Sequence, residues 1–434
     1  MRRVLAFLLA ILWTMPLQAA SVINDTEAES VLGELVAPLA AAANIPDGRL
    51  KIHIINDDDF NAFVAGGEDV YVYTGLLKQI KTPDALQAVI AHELGHTLGG
   101  HMAQMSDRMA AEMKRTMLIQ ALGVGLMVAG GNPSLGAGVL AGSSGVAQQS
   151  MLAFTRDEER IADNLGVDLM QRAGQDARGF ITVFEQMHEQ TGVAESKINP
   201  NRINHPMTTE WLNNVRTQIA QQKQVVRPAP DVVARRNAQY ELVRAKLVGY
   251  LDPLGRVQEL YPYSDKSDAG LYARAIANMR GGNLDGARMG TQTLISRHPE
   301  NPYFYELLGD IEYQFGHYDD SVDAYEQSLK YAGNAPQIQT ALALVLAERG
   351  QPDDAARAIE LTKRAVLTEP TPLAYWVMAR AYGENDAGRH DWAMAEYNNM
   401  IGKADEAKQY AKQAQRKLKK NSPEHIKAGD ILAN

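Results

Sequence analysis

Five consecutive residues, His92-Glu93-Leu94-Gly95-His96, carry the strongest chemical signal in this 434-residue sequence. On a helix, positions i and i+4 share a face, so both imidazoles can reach one metal ion. Glu93 sits beside them, placed to take a proton from water that the metal activates. Two histidines do not complete such a site. A catalytic zinc centre takes three protein ligands and leaves the fourth position open. The sequence has no cysteine, so the remaining ligand must be another histidine or a carboxylate.

Two candidates compete for that place. In His92 to His101 (HELGHTLGGH) a third histidine follows closely, with Gly99 where an HExxHxxGxxH pattern wants it. That pattern puts its last histidine at position 102, which is Met102, so His101 falls one residue early. The other candidate is Glu159, in Glu159-Arg160-Ile161-Ala162-Asp163. Glu159 and Asp163 share a helix face. Glu159 can bind metal while Asp163 accepts the N–H of a ligating imidazole and fixes its tautomer. A pair of solvated acids on a helix surface is the plainer reading of the same spacing. The expectation is one Zn2+ per chain on His92, His96 and Glu159, with Glu93 as base and Asp163 behind a ligand.

The elements that must position these residues are partly legible. Residues 50–55 (LKIHII) and 70–74 (VYVYT) read as strands. The second is a candidate sheet edge to which an extended substrate can add, with Tyr71 and Tyr73 on one face. Thr82-Pro83-Asp84 opens a helix that should run past His96. Thr155 to Glu158 is a capping box for the helix of Glu159, which occupies Glu158 in the cap. Residues 117–145 are apolar and glycine-rich, broken by Asn132-Pro133. They read as a buried helical hairpin or as a mobile or membrane-touching cover over the site, and are too interrupted to span a membrane.

The ends of the chain have different characters. Arg2, Arg3 and the apolar run 4–17, followed by Ala19 and Ala20, read as a secretory signal. Export and the absence of cysteine fit a bacterial periplasm. The net charge is −9 and no Lys/Arg block appears, which argues against nucleic acid as a partner. From about Asp268 the chain repeats. Gly282, Gly316 and Gly350 are spaced by 34, as are Ala287, Ser321 and Ala355, and Ala275, Gly309 and Ala343. That period, with small residues at fixed positions, marks tetratricopeptide repeats. Glu312 stands where the best repeat, residues 301–331, wants an aromatic side chain. The expected division is a signal peptide (1–20), a metallopeptidase domain (21–224), a linker with connecting helices (225–267) and the repeats (268–430), closed by a polar helix near 406–420. The fold class is α+β, a mostly helical zincin-like domain with a small sheet, followed by an all-α solenoid.

HExxH followed by E-x-x-A-D resembles the gluzincin peptidases of the CAAX prenyl endopeptidase and HtpX type. The resemblance runs through Asn61 to His101 (NAF, GG, VYTGLL, AHELGH, H), Phe154 to Gly166 (FTRDEERIADNLG) and His205-Pro206. It implies zinc at His92, His96 and Glu159, catalysis by Glu93, support from Asp163 and a functional role for His205. His205 is then either a donor to the oxyanion or a gating ligand in zinc's fourth position. Relatives often carry an arginine after the His-Pro pair where this chain has Trp211. With the signal and the repeats, the resemblance implies a periplasmic endopeptidase acting on unfolded or misassembled proteins, outer-membrane proteins among them. The repeats would recruit clients or assembly machinery, with at most peripheral membrane contact. The competing reading is a chaperone-like scaffold with a gated or silent site.

Overall fold

A computed structural model describes residues 21–66, 68–101, 156–191, 209–221 and 227–433. The signal segment, residues 117–145, Thr155 and His205 lie outside the described residues.

The peptidase half is built on a four-stranded sheet in the order β1-β2-β4-β3. Its strands are β1 (Ser21–Ile23), β2 (Lys51–Asn56), β3 (Ala62–Ala65) and β4 (Asp69–Tyr73). β2 and β4 run parallel, and the two outer pairings are antiparallel. The strand read as a sheet edge is therefore interior: β4 has β2 on one side and β3 on the other. β3 is only four residues long and lies between the turn-forming residues Asn56 to Asp59 and Gly66, which conceal it in the sequence. Side chains alternate across the sheet. Ile54, Val64, Val70 and Val72 are buried in the core. Phe63 and Tyr71 stack on the opposite face with ring centroids 4.8 Å apart.

Helices cover the core face. α1 (Thr26–Ala42), α2 (Thr74–Gln79) and α3 (Pro83–Leu98) follow the order of the chain. Pro83 starts α3 as its fixed φ allows. Thr82 takes the N-cap position but makes no side-chain capping bond. α4 (Arg156–Arg172) lies against α3, and the contact depends on a missing side chain. A Cβ on Gly95 would stand 2.4 Å from the carbonyl oxygen of Ala162. α5 (Gly179–Thr191), α6 (Thr209–Ala220) and α7 (Pro230–Leu251) complete the layer. Tyr240, Val243 and Leu247 of α7 belong to the same core as the sheet. No helix among the described residues is long and apolar enough to cross a membrane.

After α8 (Leu254–Leu260) the chain forms four helical hairpins. These are α9 (Asp268–Arg280) with α10 (Leu284–Arg297), α11 (Pro302–Gln314) with α12 (Tyr318–Ala332), α13 (Pro336–Arg349) with α14 (Asp354–Thr368), and α15 (Pro372–Tyr382) with α16 (Ala387–Met400). Gly282, Gly316 and Gly350 have φ of 79°, 79° and 67°, the left-handed turn that ends the first helix of a pair. Ala287 and Ser321 are buried where their helices meet, but Ala355 is exposed. α14 starts at Asp354, two residues later than the 34-spacing expects, and Ala358 is buried instead. Glu312, in place of an aromatic, is buried in an ion pair with Arg288. α17 (Ala404–Lys417) is the polar closing helix, and α18 (Pro423–Ala433) packs on it. The fold is thus a mostly helical α+β domain followed by an all-α repeat array.

Candidate metal centre

His92 and His96 lie one turn apart on α3, and Glu159 and Asp163 one turn apart on α4. The close approach at Gly95 brings the two pairs together. His92 Nε2 is 3.1 Å from His96 Nε2. Glu159 reaches both, with Oε2 3.4 Å from His92 Nε2 and Oε1 3.7 Å from His96 Nε2. On the far side of the first ring, His92 Nδ1 is 2.9 Å from Asp163 Oδ1. On the far side of the second, His96 Nδ1 is 3.0 Å from His101 Nδ1. Glu93 is buried on α3 next to His92. All of these residues are buried, 8% exposed or less, so bulk water does not screen their charges.

The donor set can be tested for a cation by following the protons. Asp163 accepts from His92 Nδ1–H, which leaves Nε2 of that neutral ring as a lone pair. The same tautomer at His96 points a second lone pair at the first, and the Glu159 carboxylate adds a third. Three acceptors facing one another at 3.1–3.7 Å repel unless a cation lies between them. A tetrahedral centre with bonds of about 2.0–2.1 Å has ligand–ligand edges of about 3.3–3.4 Å. The observed spacings bracket that length. His92, His96 and Glu159 are the group of described residues whose ligand atoms can hold a metal ion together.

The electrostatics point the same way. Burial by itself lowers the pKa of His92. Hydrogen bonds with Asp163 and Glu159, and the charges of Asp163 and Glu93, outweigh it and push the value up to about 10. The field that would hold a proton on the ring attracts any cation.

Of the residues singled out from sequence, the structure brings His92, Glu93, His96, Glu159 and Asp163 together. His205 lies outside the described residues. His101 does not join the ligand atoms but stands behind His96. The signal for it was the glycine pair before it. Gly100 has φ of 69°, which turns the chain back at the end of α3. Gly99 leaves space for the ring, since a Cβ there would stand 2.6 Å from His101 Nε2.

The model of peptidase family M48 matches residues 26–301, which contain every ligand candidate. The chain belongs to peptidase family M48. It is a metalloendopeptidase, and its buried His-His-Glu cluster fits the divalent ion that the family implies. A tetratricopeptide-repeat model matches residues 272–337 and 306–366. Among curated relatives, the chain is similar to the beta-barrel assembly-enhancing protease of Escherichia coli (strain K12), 26% identical over 349 residues. That alignment covers 79% of this chain and 69% of the relative. The protein of the same name from Yersinia pestis is 24% identical over 367 residues, covering 82% of this chain and 72% of the relative. Metalloprotease YcaL of Escherichia coli (strain K12) is 27% identical over 198 residues, 45% of this chain and 72% of its own length.

Proposed function

We propose that this M48 peptidase is a zinc-dependent endopeptidase of the Gram-negative periplasm that cleaves unfolded or misassembled proteins, outer-membrane proteins among them. His92, His96 and Glu159 are its metal ligands. The convergence of three acceptor atoms on one buried point carries the reading. The similarity to beta-barrel assembly-enhancing proteases supports the substrate class and the compartment.

When bound, zinc polarises the scissile carbonyl and makes water acidic enough to lose a proton near neutral pH. Glu93 takes that proton and returns it to the leaving amine. Asp163 holds His92 with its proton on Nδ1, so that Nε2 faces the centre. The low exposure of the site keeps competing water away from these groups. An extended substrate adds to β3, the edge strand beside β4, which packs on the helix of His92 and His96. Backbone pairing of this kind suits unfolded clients, because it selects little by side chain. The repeats recruit clients or assembly machinery.

His205 either donates to the oxyanion or gates the fourth zinc position. His205→Ala separates the two: a loss of about 10²–10³-fold in activity marks the donor, and unchanged or raised activity with self-cleavage marks the gate.

The whole reading is tested with the zinc-loaded protein on an unfolded casein-type substrate, with and without chelator, beside Glu93→Gln. Cleavage that chelator abolishes, and that Glu93→Gln lowers by about 10²–10⁴-fold while keeping zinc, is expected. Equal turnover in the variant removes Glu93 from the mechanism. Turnover that persists in chelator removes the metal.

A further inference from the structure

We infer that His101 is a positioning residue for the metal centre: it accepts the Nδ1–H of His96 and thereby fixes which nitrogen of His96 faces the ion. The inference rests on the assignment of His92, His96 and Glu159 as ligands.

The two ligating rings are held differently. His92 has a carboxylate behind it, Asp163, at 2.9 Å. Behind His96 is the imidazole of His101, with Nδ1 to Nδ1 at 3.0 Å. If His96 offers Nε2 to a metal, its proton is on Nδ1, and His101 Nδ1 must be the acceptor. His101 is then neutral, with its own proton on Nε2. The two rings meet nearly edge to face, centroids 5.1 Å apart and planes at 71°. His101 is 1% exposed, so His96 has no access to bulk water there as a substitute acceptor.

The chain is shaped to make this contact. α3 ends at Leu98, two residues after His96. A continued helix would carry position 101 onward, away from His96 Nδ1. Gly100, at φ of 69°, adopts the left-handed conformation instead and reverses the direction. Gly99 then lies beneath the returning ring. An added Cβ would be 2.6 Å from Nε2, 2.8 Å from Cε1 and 3.1 Å from Cδ2 of His101. Gly99 has an ordinary helical φ of −74°, so its backbone does not require glycine. The ring above it does.

A neutral acceptor also suits the charge of the site. Glu93, Glu159 and Asp163 already bring three carboxylates to one buried region. A fourth, behind His96, would add unbalanced buried charge. His101 orients the ring without adding any.

The test separates the acceptor from the bulk of the ring. Asn places its Oδ1 where histidine has Nδ1, so His101→Asn keeps the acceptor and loses the ring. His101→Leu keeps comparable bulk and loses the acceptor. Zinc affinity of the full chain is measured by competition with a chromogenic chelator, alongside the melting temperature of the metal-free protein. His101→Leu should weaken zinc binding about 10–100-fold, the usual loss for such a partner. His101→Asn should stay within about threefold of wild type, on the same principle. Gly99→Ala, which displaces the ring and leaves its chemistry intact, should weaken zinc alone and have no further effect added to His101→Leu. Equal losses in the Asn and Leu variants, wild-type affinity in the Leu variant, or additive losses with Gly99→Ala would each overturn the inference. A wild-type chain that binds no zinc overturns the metal assignment itself, which is a different result.

Discussion

Two buried clusters of ionisable groups in this protein solve the same electrostatic problem in opposite ways. At the metal centre, Glu159, Asp163 and Glu93 stand with two imidazoles whose lone pairs converge, an arrangement completed by a cation from outside the chain. At the seam between the peptidase half and the repeats, the chain supplies the cation. Lys246 of α7 is 2.7 Å from Asp25 Oδ2, 3.4 Å from Glu27 Oε2 and 3.5 Å from Glu306 Oε2. Tyr272 donates to Glu27 at 2.8 Å, and Tyr250 donates to Asp310 at 2.9 Å. Asp25 and Glu27 begin α1, whereas Tyr272, Glu306 and Asp310 belong to the first repeats. Thr26 reaches further, donating to Gln337 at 2.6 Å. An ion that can be exchanged serves chemistry, because one coordination position stays available. A lysine fixed by its own backbone serves docking. The peptidase half and the repeats are joined by a permanent charge.

The comparison can be broken most severely at Lys246. Lys246→Met should destabilise the protein by roughly 3–5 kcal/mol in urea titration, because the acids around it lose their shared partner. Zinc stoichiometry of the folded fraction should not change. A loss below about 1 kcal/mol, in the range of an exposed pair, would show that the seam is held by packing and not by this charge.

Gly95→Ala should cost less, about 1–3 kcal/mol from overpacking. It acts on the other cluster. The new Cβ meets the Ala162 carbonyl, pushes α4 from α3 and separates Glu159 from the histidines, so zinc affinity should fall with stability. Unchanged affinity would mean that the ligand geometry does not depend on this helix contact.

A third effect is a pH dependence at the seam. Burial raises the pKa of Glu306, and the neighbouring Lys246 lowers it in part. Asp25, Asp310 and Glu27 raise it again, and the result is about 8 against an ordinary 4.5. The folded state therefore binds this proton more tightly than the unfolded chain does. The stability it contributes is full below about pH 4.5 and is lost as pH rises through about 8. Glu306→Gln should flatten the decline in melting temperature between pH 5 and pH 8.5 relative to wild type. Parallel curves for the two proteins would remove Glu306 from the linkage.

The two clusters were unequally legible in the sequence. Four residues of the metal centre fall in two i, i+4 pairs, His92 with His96 and Glu159 with Asp163, and helical periodicity alone puts each pair on one face. The glycine period disclosed the repeats, because each left-handed turn after a first helix recurs at a fixed interval. It misplaced Ala355, where the turn lengthens by two residues before α14. β3 was missed because four residues give little alternation to read, and β4 then passed for an edge. His101 was visible as a misplaced metal ligand and as the last residue of the matching segment 61–101, and neither gave its role. Its contact depends on the φ of Gly100, which residue spacing does not encode. The seam was not legible at all. Asp25, Lys246 and Glu306 are distant in sequence, and no local pattern joins them.

The central claim is that one of these two clusters is completed by an ion, held on two elements by three named side chains. Metal analysis of the purified full chain, beside His96→Ala, Glu159→Ala and Lys246→Met, tests it most directly. One zinc per chain is expected in the wild type and in folded Lys246→Met, with loss of zinc in both ligand variants. Stoichiometric zinc retained by both His96→Ala and Glu159→Ala would contradict it.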